Sequence, residues 1–144
     1  MKISKSILPI ALVLFFCLSI TAQNKTEFTT KRNLGFKESS KIQQVELKIA
    51  ENTEGLRLNI LCNVRKGDVS ILIFSPSGEE QGEFSVEGAD ETEDDGSLFS
   101  MLQQGVSGEI NKDINQPEKG VWVIKFVPKN ATGRVEINSS QYMK

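Results

Sequence analysis

An all-β fold built as an antiparallel two-sheet sandwich is the class this sequence predicts, on three observations. Apolar and polar residues alternate in short runs, turns rich in proline and glycine separate those runs, and helical periodicity is nearly absent. Six or more strands at such spacing, with little helix, pack most simply as two sheets over one core.

The first 22 residues stand apart from that pattern. Lys2 and Lys5 precede the apolar run Ile7–Ile20, and Thr21-Ala22 leads into polar sequence, the three parts of a secretory signal peptide. The run of 14 residues is shorter than the roughly 20 needed to span a bilayer as a helix. No basic stop-transfer cluster follows, so no transmembrane anchor is expected. Cys17 follows Phe15-Phe16 rather than a small residue, which argues against lipidation there. Cleavage after Ala22 is expected to leave Gln23–Lys144, enough chain for one domain with a core of its own. Residues 23–40 then form an extension or edge strand carrying Phe28, Leu34 and Phe36, and residues 41–144 form the sandwich.

The strands follow in order. Val45, Leu47 and Ile49 alternate with Gln44, Glu46 and Lys48; after the turn residues Asn52 to Gly55, Leu56, Leu58, Ile60, Cys62 and Val64 alternate with Arg57, Asn59 and Asn63. These two runs are expected to pair as a hairpin. Beyond Lys66-Gly67, Asp68–Phe74 becomes apolar on both faces, the mark of a central strand covered on both sides. Ser75-Pro76-Ser77-Gly78 is a turn with proline second and glycine fourth, and Phe84 and Val86 mark a short strand after it. Ser97–Gln104 fits one or two helical turns between a serine cap and Gly105, and fits a short strand nearly as well. Gln116–Gly120 is a second proline-to-glycine turn, leading to Val121–Val127, where Trp122, Ile124 and Phe126 share a face and should centre the core. Asn130–Gly133 is read as a turn into Arg134–Asn138, with Val135 and Ile137 inward.

Charge and cysteine narrow the function classes. Loss of Lys2 and Lys5 leaves 15 basic residues against 19 acidic ones, a net charge of −4 in place of −2, which excludes the basic footprint of a nucleic-acid binder. Only Cys62 survives cleavage, so no internal disulfide can form, and its apolar strand parity makes it a small buried hydrophobe. A stable exported domain of this size without disulfides suits a bacterial periplasm or cell exterior. The chain has no histidine, which removes Ser-His-Asp and Cys-His catalysis and the commonest zinc ligand. A carboxylate-dependent, glycosidase-like hydrolase is the enzymatic alternative, yet no motif places its two acids.

Between Lys66 and Lys112 there is no basic residue, while eleven acids fall there. Asp90, Glu91, Glu93, Asp94 and Asp95 are the candidate calcium ligands. Glu91, Glu93, Asp95 and Gly96 imitate the start of an EF-hand loop, but its twelfth position is Leu102 where a bidentate glutamate is required. The other readings are a solvated loop that keeps the domain soluble and a docking surface for a basic partner. Asn24, Asn130 and Asn138 begin glycosylation sequons, which matter only in a eukaryotic host.

Gly67–Gly78, read with Pro117–Ile124 and the closing Gly133–Ile137, resembles the bacterial pre-peptidase C-terminal domains and the related proprotein-convertase P domains. In that family a glycine-aspartate opens a strand ending in a serine- or aspartate-proline-x-glycine turn, and a later proline and glycine precede a strand with an aromatic residue. The resemblance covers about residues 45–137. It implies a jelly-roll-like sandwich that accompanies secreted hydrolases as a non-catalytic accessory or adhering module, and it offers no catalytic residues or cofactor. No protease domain is expected beside it, so such a module would act in trans or bind a protein, a glycan or an envelope component itself.

Overall fold

The structure is a computed structural model that describes residues 26–88 and 105–144. These form six strands and, among the described residues, no helix: β1 (Thr26–Ser39), β2 (Gln43–Ile49), β3 (Thr53–Phe74), β4 (Glu80–Glu87), β5 (Val106–Asn115) and β6 (Gly120–Met143). The expected leader, Met1 to Ala22, and the ambiguous segment Ser97–Gln104 lie outside the described residues.

Two strands are far longer than the rest, and each serves both sheets. The first half of β3 pairs with β5 and with the second half of β6, which also pairs with β1. The second half of β3 pairs with β4 and with the first half of β6, which also pairs with β2. Every pairing is antiparallel. The result is a first sheet, β1-β6-β3-β5, folded over a second, β2-β6-β3-β4. That strand order is a jelly roll, in which bent ribbons cross from sheet to sheet. The expected sandwich is therefore present, with its strands fused across the fold.

The bends have local causes. In β3 the register shifts on both sides of Lys66, and Gly67 takes φ 69°, a conformation that L side chains rarely adopt. A Cβ there would also sit 2.3 Å from the Lys129 carbonyl oxygen of β6. In β6 the matching irregular residue is Asn130, φ 44°, and asparagine tolerates this region better than most residues. Its backbone N–H donates to Ser40 Oγ at 2.8 Å. Asn130–Gly133, expected to reverse the chain, instead passes it from one sheet to the other, because both sides of the segment are already paired with β3.

The expected hairpin between Val45–Ile49 and Leu56–Val64 is also corrected. β2 and the first half of β3 lie in opposite sheets, and the chain turns a corner between them. Buried Gln141 holds that corner: its Oε1 accepts from the Ala50 N–H at 3.1 Å and Thr53 Oγ1 at 3.0 Å, and its Nε2 donates to the Lys48 carbonyl at 2.9 Å. The Ala50 N–H and the Lys48 carbonyl are backbone groups that a hairpin ladder would otherwise have used.

Side chains of both sheets meet in one core. Leu56, Leu58, Ile60, Cys62 and Val64 point in from the first half of β3, and Val69, Ile71 and Ile73 from the second. Trp122, Ile124 and Phe126 share the inner face as expected; Trp122 is 2% exposed and donates its indole N–H to the Glu118 carbonyl at 2.9 Å. Val135 and Ile137 are likewise inward. Cys62 is fully buried, and burial pushes its thiol up to about 11, so it stays a neutral hydrophobe. Burial of one such large side chain contributes about 1.5–3 kcal/mol.

The turn Ser75–Gly78 closes as expected, with the Gly78 N–H donating to the Ser75 carbonyl at 2.9 Å and Gly78 at φ 84°. One expectation holds only by half. Asp68–Phe74 is central in its sheet, but Leu72 and Phe74 on its outer side are only half-buried, and none of the six strands covers that face.

Candidate functional site

The fold brings its most distinctive surface together where β3 and β6 bend. A cleft of about 680 Å³ opens there, lined by Lys37 of β1, Asn63 and Arg65 of β3, Ser107 of β5, and Thr132 and Arg134 of β6, with Phe36 and glycines completing the wall. Pairing explains the convergence. Arg134 lies opposite Gly35 on one side and Asn63 on the other, and Asn63 lies opposite Ser107, so one row crosses four strands. Arg65 stands two residues beyond Asn63 on the same face. At Gly133 a Cβ would meet the Asn63 carbonyl oxygen at 2.2 Å; the two strands can approach so closely only because that position has no side chain.

The chemistry of the lining is one-sided. Lys37, Arg65 and Arg134 contribute three cations, and among the described residues no carboxylate lines the cleft. Neither Lys37 nor Arg65 has an ion-pair partner among the described residues. The two hydroxyls are held as acceptors: Ser107 Oγ takes the Asn63 Nδ2–H at 2.8 Å, and Thr132 Oγ1 takes the Glu38 backbone N–H at 3.1 Å. A hydroxyl that accepts in this way keeps its own proton free to donate. The cleft therefore presents donors and positive charge, with few acceptors.

From the cleft, the outer face of the first sheet continues as a hydrogen-bonded polar track. Asn59 Nδ2 donates to Glu109 Oε1 at 2.7 Å and to Asn111 Oδ1 at 2.6 Å, and Asn138 Nδ2 donates to Asn59 Oδ1 at 3.3 Å. Lys31 pairs with Glu136 at 2.7 Å, and that ammonium, helped by the Asn138 amide, holds the Glu136 carboxyl below its ordinary value. At the far end Arg57 pairs with Asp113 at 2.8 Å and lies 5.7 Å from the Tyr142 ring centroid. Hydrogen bonding to Asp113 raises the Arg57 guanidinium further above its usual range.

The sequence-predicted site lies elsewhere. Asp90, Glu91, Glu93, Asp94 and Asp95 fall outside the described residues, and among the described residues no group of three or more acidic, cysteine or histidine side chains is placed to hold a metal ion. The cleft was not anticipated from the sequence. Its signal was present in Arg65 and Arg134, each on the outward parity beside an irregular segment, but only the β3–β6 register shows that the two segments coincide.

No protein-family model matches this chain, and no curated protein matches it. Among solved structures, that of dimeric latent PorU from Porphyromonas gingivalis superposes with a TM-score of 0.51 at 7% identity, over 83% of this chain and 13% of that one. A Bacillus endospore-appendage structure, from a family of disulfide-linked pili, aligns with a TM-score of 0.47 at 9% identity, over 83% of this chain and 91% of that one. A carbohydrate-binding module from Cellvibrio mixtus lichenase 5A, solved with cellotriose, gives 0.33 at 12% identity over 85% and 88%. The likeness to PorU is one of fold, and it concerns a small part of a much larger chain.

Proposed function

We propose that this protein is an exported, non-catalytic jelly-roll module that works by binding, at the cell envelope or outside the cell. The donor-rich cleft is the observation that carries this reading. Its walls hold cations, hydroxyls and an amide, groups that fix a ligand in place, and among the described residues they hold neither a nucleophile paired with a base nor the two facing carboxylates a glycosidase uses. Glu109 and Glu136, each two residues along its strand from a lining residue, are engaged by Asn59, Asn111, Lys31 and Asn138. Export rests on the leader-like pattern of Met1 to Ala22, and the accessory role is what the resemblance to pre-peptidase C-terminal domains implies.

The test incubates purified protein with neutral and acidic polysaccharides and with envelope fractions, following retention and release of new chain ends together. Retention without release is the expected result. Steady hydrolysis of any of these polymers would overturn the non-catalytic reading.

A further inference from the structure

We infer that the cleft at the β3–β6 bend is a binding site for an acidic polysaccharide, whose carboxylate or sulfate groups are held by Arg65, Arg134 and Lys37. The inference rests on the binding-module reading and names the ligand class for that site.

Three observations lead to it. The donor set is matched to oxyanions: three cationic side chains and two hydroxyls with free protons face a space that, among the described residues, no lining carboxylate shares. The cations are spread rather than focused, standing on β1, β6 and β3. Neighbouring strands lie about 4.8 Å apart, so the row of charges extends across the sheet, suiting acidic groups that repeat along a polymer better than one small anion. The surface beyond the cleft is a track of planar amides and of carboxylates already engaged by them or by cations, Glu109, Glu136 and Asp113, in which Leu61 and Tyr142 are the apolar or aromatic side chains. Amides already fixed by Asn59, Asn111 and Asn138 bonding to one another offer hydroxyl-bearing ligands a pre-organised face.

Other polyanions fit less well. An acidic peptide bound as an added strand would lie along the free edge of β1 or β5, whereas the two arginines stand on β3 and β6, which are paired on both sides. An anionic membrane surface is held best where a group of apolar side chains flanks the cations, and of the exposed large apolar residues among those described only Leu61 and Val106, on different strands, stand within two residues of the lining.

Binding is measured by titrating the purified protein with dextran sulfate, polygalacturonate, neutral dextran, polyglutamate and phosphatidylglycerol vesicles. Both acidic polysaccharides are expected to bind, more weakly as salt rises, and neutral dextran is not; whichever of the two binds tighter separates sulfate from carboxylate as the preferred group. The double variant Arg65→Ala, Arg134→Ala should lose affinity on the order of tenfold or more. A charge-matched control on the other sheet, Lys48→Ala with Lys125→Ala, should lose little. Unchanged melting temperatures confirm that both variants are folded; if the arginine pair unfolds, Arg65→Gln alone replaces it. Equal loss in both variants, preference for polyglutamate or vesicles, or no binding to either acidic polysaccharide overturns the inference. Binding of neutral dextran unaffected by the arginine changes overturns it too, yet leaves the binding module standing, whereas that reading fails separately on hydrolysis.

Discussion

The two outward faces of this sandwich are made by the same two long strands, yet they differ in kind. On the first sheet, β3 and β6 present Arg57, Asn59, Asn63, Arg65, Arg134, Glu136 and Asn138, bonded across strands and ending in the cleft. On the second, the same strands present Leu72, Phe74, Val121, Val123 and Val127 among lysines and serines. Inside, both halves are apolar apart from the buried Thr53, Ser139 and Gln141. Stability is thus supplied from one side of each strand, and the outer sides are free to differ. The cleft forms where the strands bend, and there residues from four strands surround one concavity.

The largest expected effect separates inner from outer positions on one strand. Trp122→Ala should cost about 3–5 kcal/mol, enough to unfold a domain of ordinary margin, whereas Val123→Ser next to it should cost less than about 1 kcal/mol. Denaturant unfolding of the pair measures this, and similar losses in both would mean that the outer face is covered in solution.

How much of this was legible beforehand depends on the range of the interaction. The alternation that places Leu47, Cys62, Trp122 and Ile137 inward is local, and it was read correctly from each run. The Ser75–Gly78 turn was also local, being decided by a proline and a glycine within four residues. Which strands pair was a different matter. Asn52–Gly55 reads as a hairpin turn, and its role as a corner between sheets depends on Gln141, almost ninety positions away. Gly67 and Asn130 look like separate punctuation, and only their contact shows that they are the two sides of one bend. The cleft inherits that difficulty, because Lys37, Arg65 and Arg134 are scattered in sequence and meet through register alone.

The next effect tests the bend. Gly67→Ala places a methyl against the Lys129 carbonyl at a backbone angle that favours glycine, and should cost at least about 2 kcal/mol. Gly35→Ala, where a Cβ meets nothing within 4 Å, should be nearly neutral. Equal losses would remove the bend as the reason for glycine at position 67.

Acid should weaken the polar face before the apolar one. Glu136 has its carboxyl lowered by Lys31 and Asn138, so its contribution is present above the unfolded value of about 4.3 and is lost as pH falls through the lower folded value. Lys31→Ala should flatten stability in that window, measured by thermal unfolding from pH 5 downward; an unchanged slope would show that the pair is idle. The smallest effect concerns calcium. Several millimolar calcium should leave the melting temperature nearly unchanged, since Leu102 stands where an EF-hand needs glutamate. A rise abolished by changing Asp90, Glu93, Asp94 and Asp95 to amides would give that segment a metal-binding role.

The central claim, that the bend of the first sheet is where this module binds, is tested most directly by following backbone amide NMR signals during titration with the tighter-binding acidic polysaccharide. The account predicts shifts concentrated at Asn63, Arg65, Ser107, Thr132 and Arg134, fading along the track towards Tyr142 and absent at Leu72, Phe74 and Val123. Shifts centred on that second group, or spread evenly over every lysine, would contradict it.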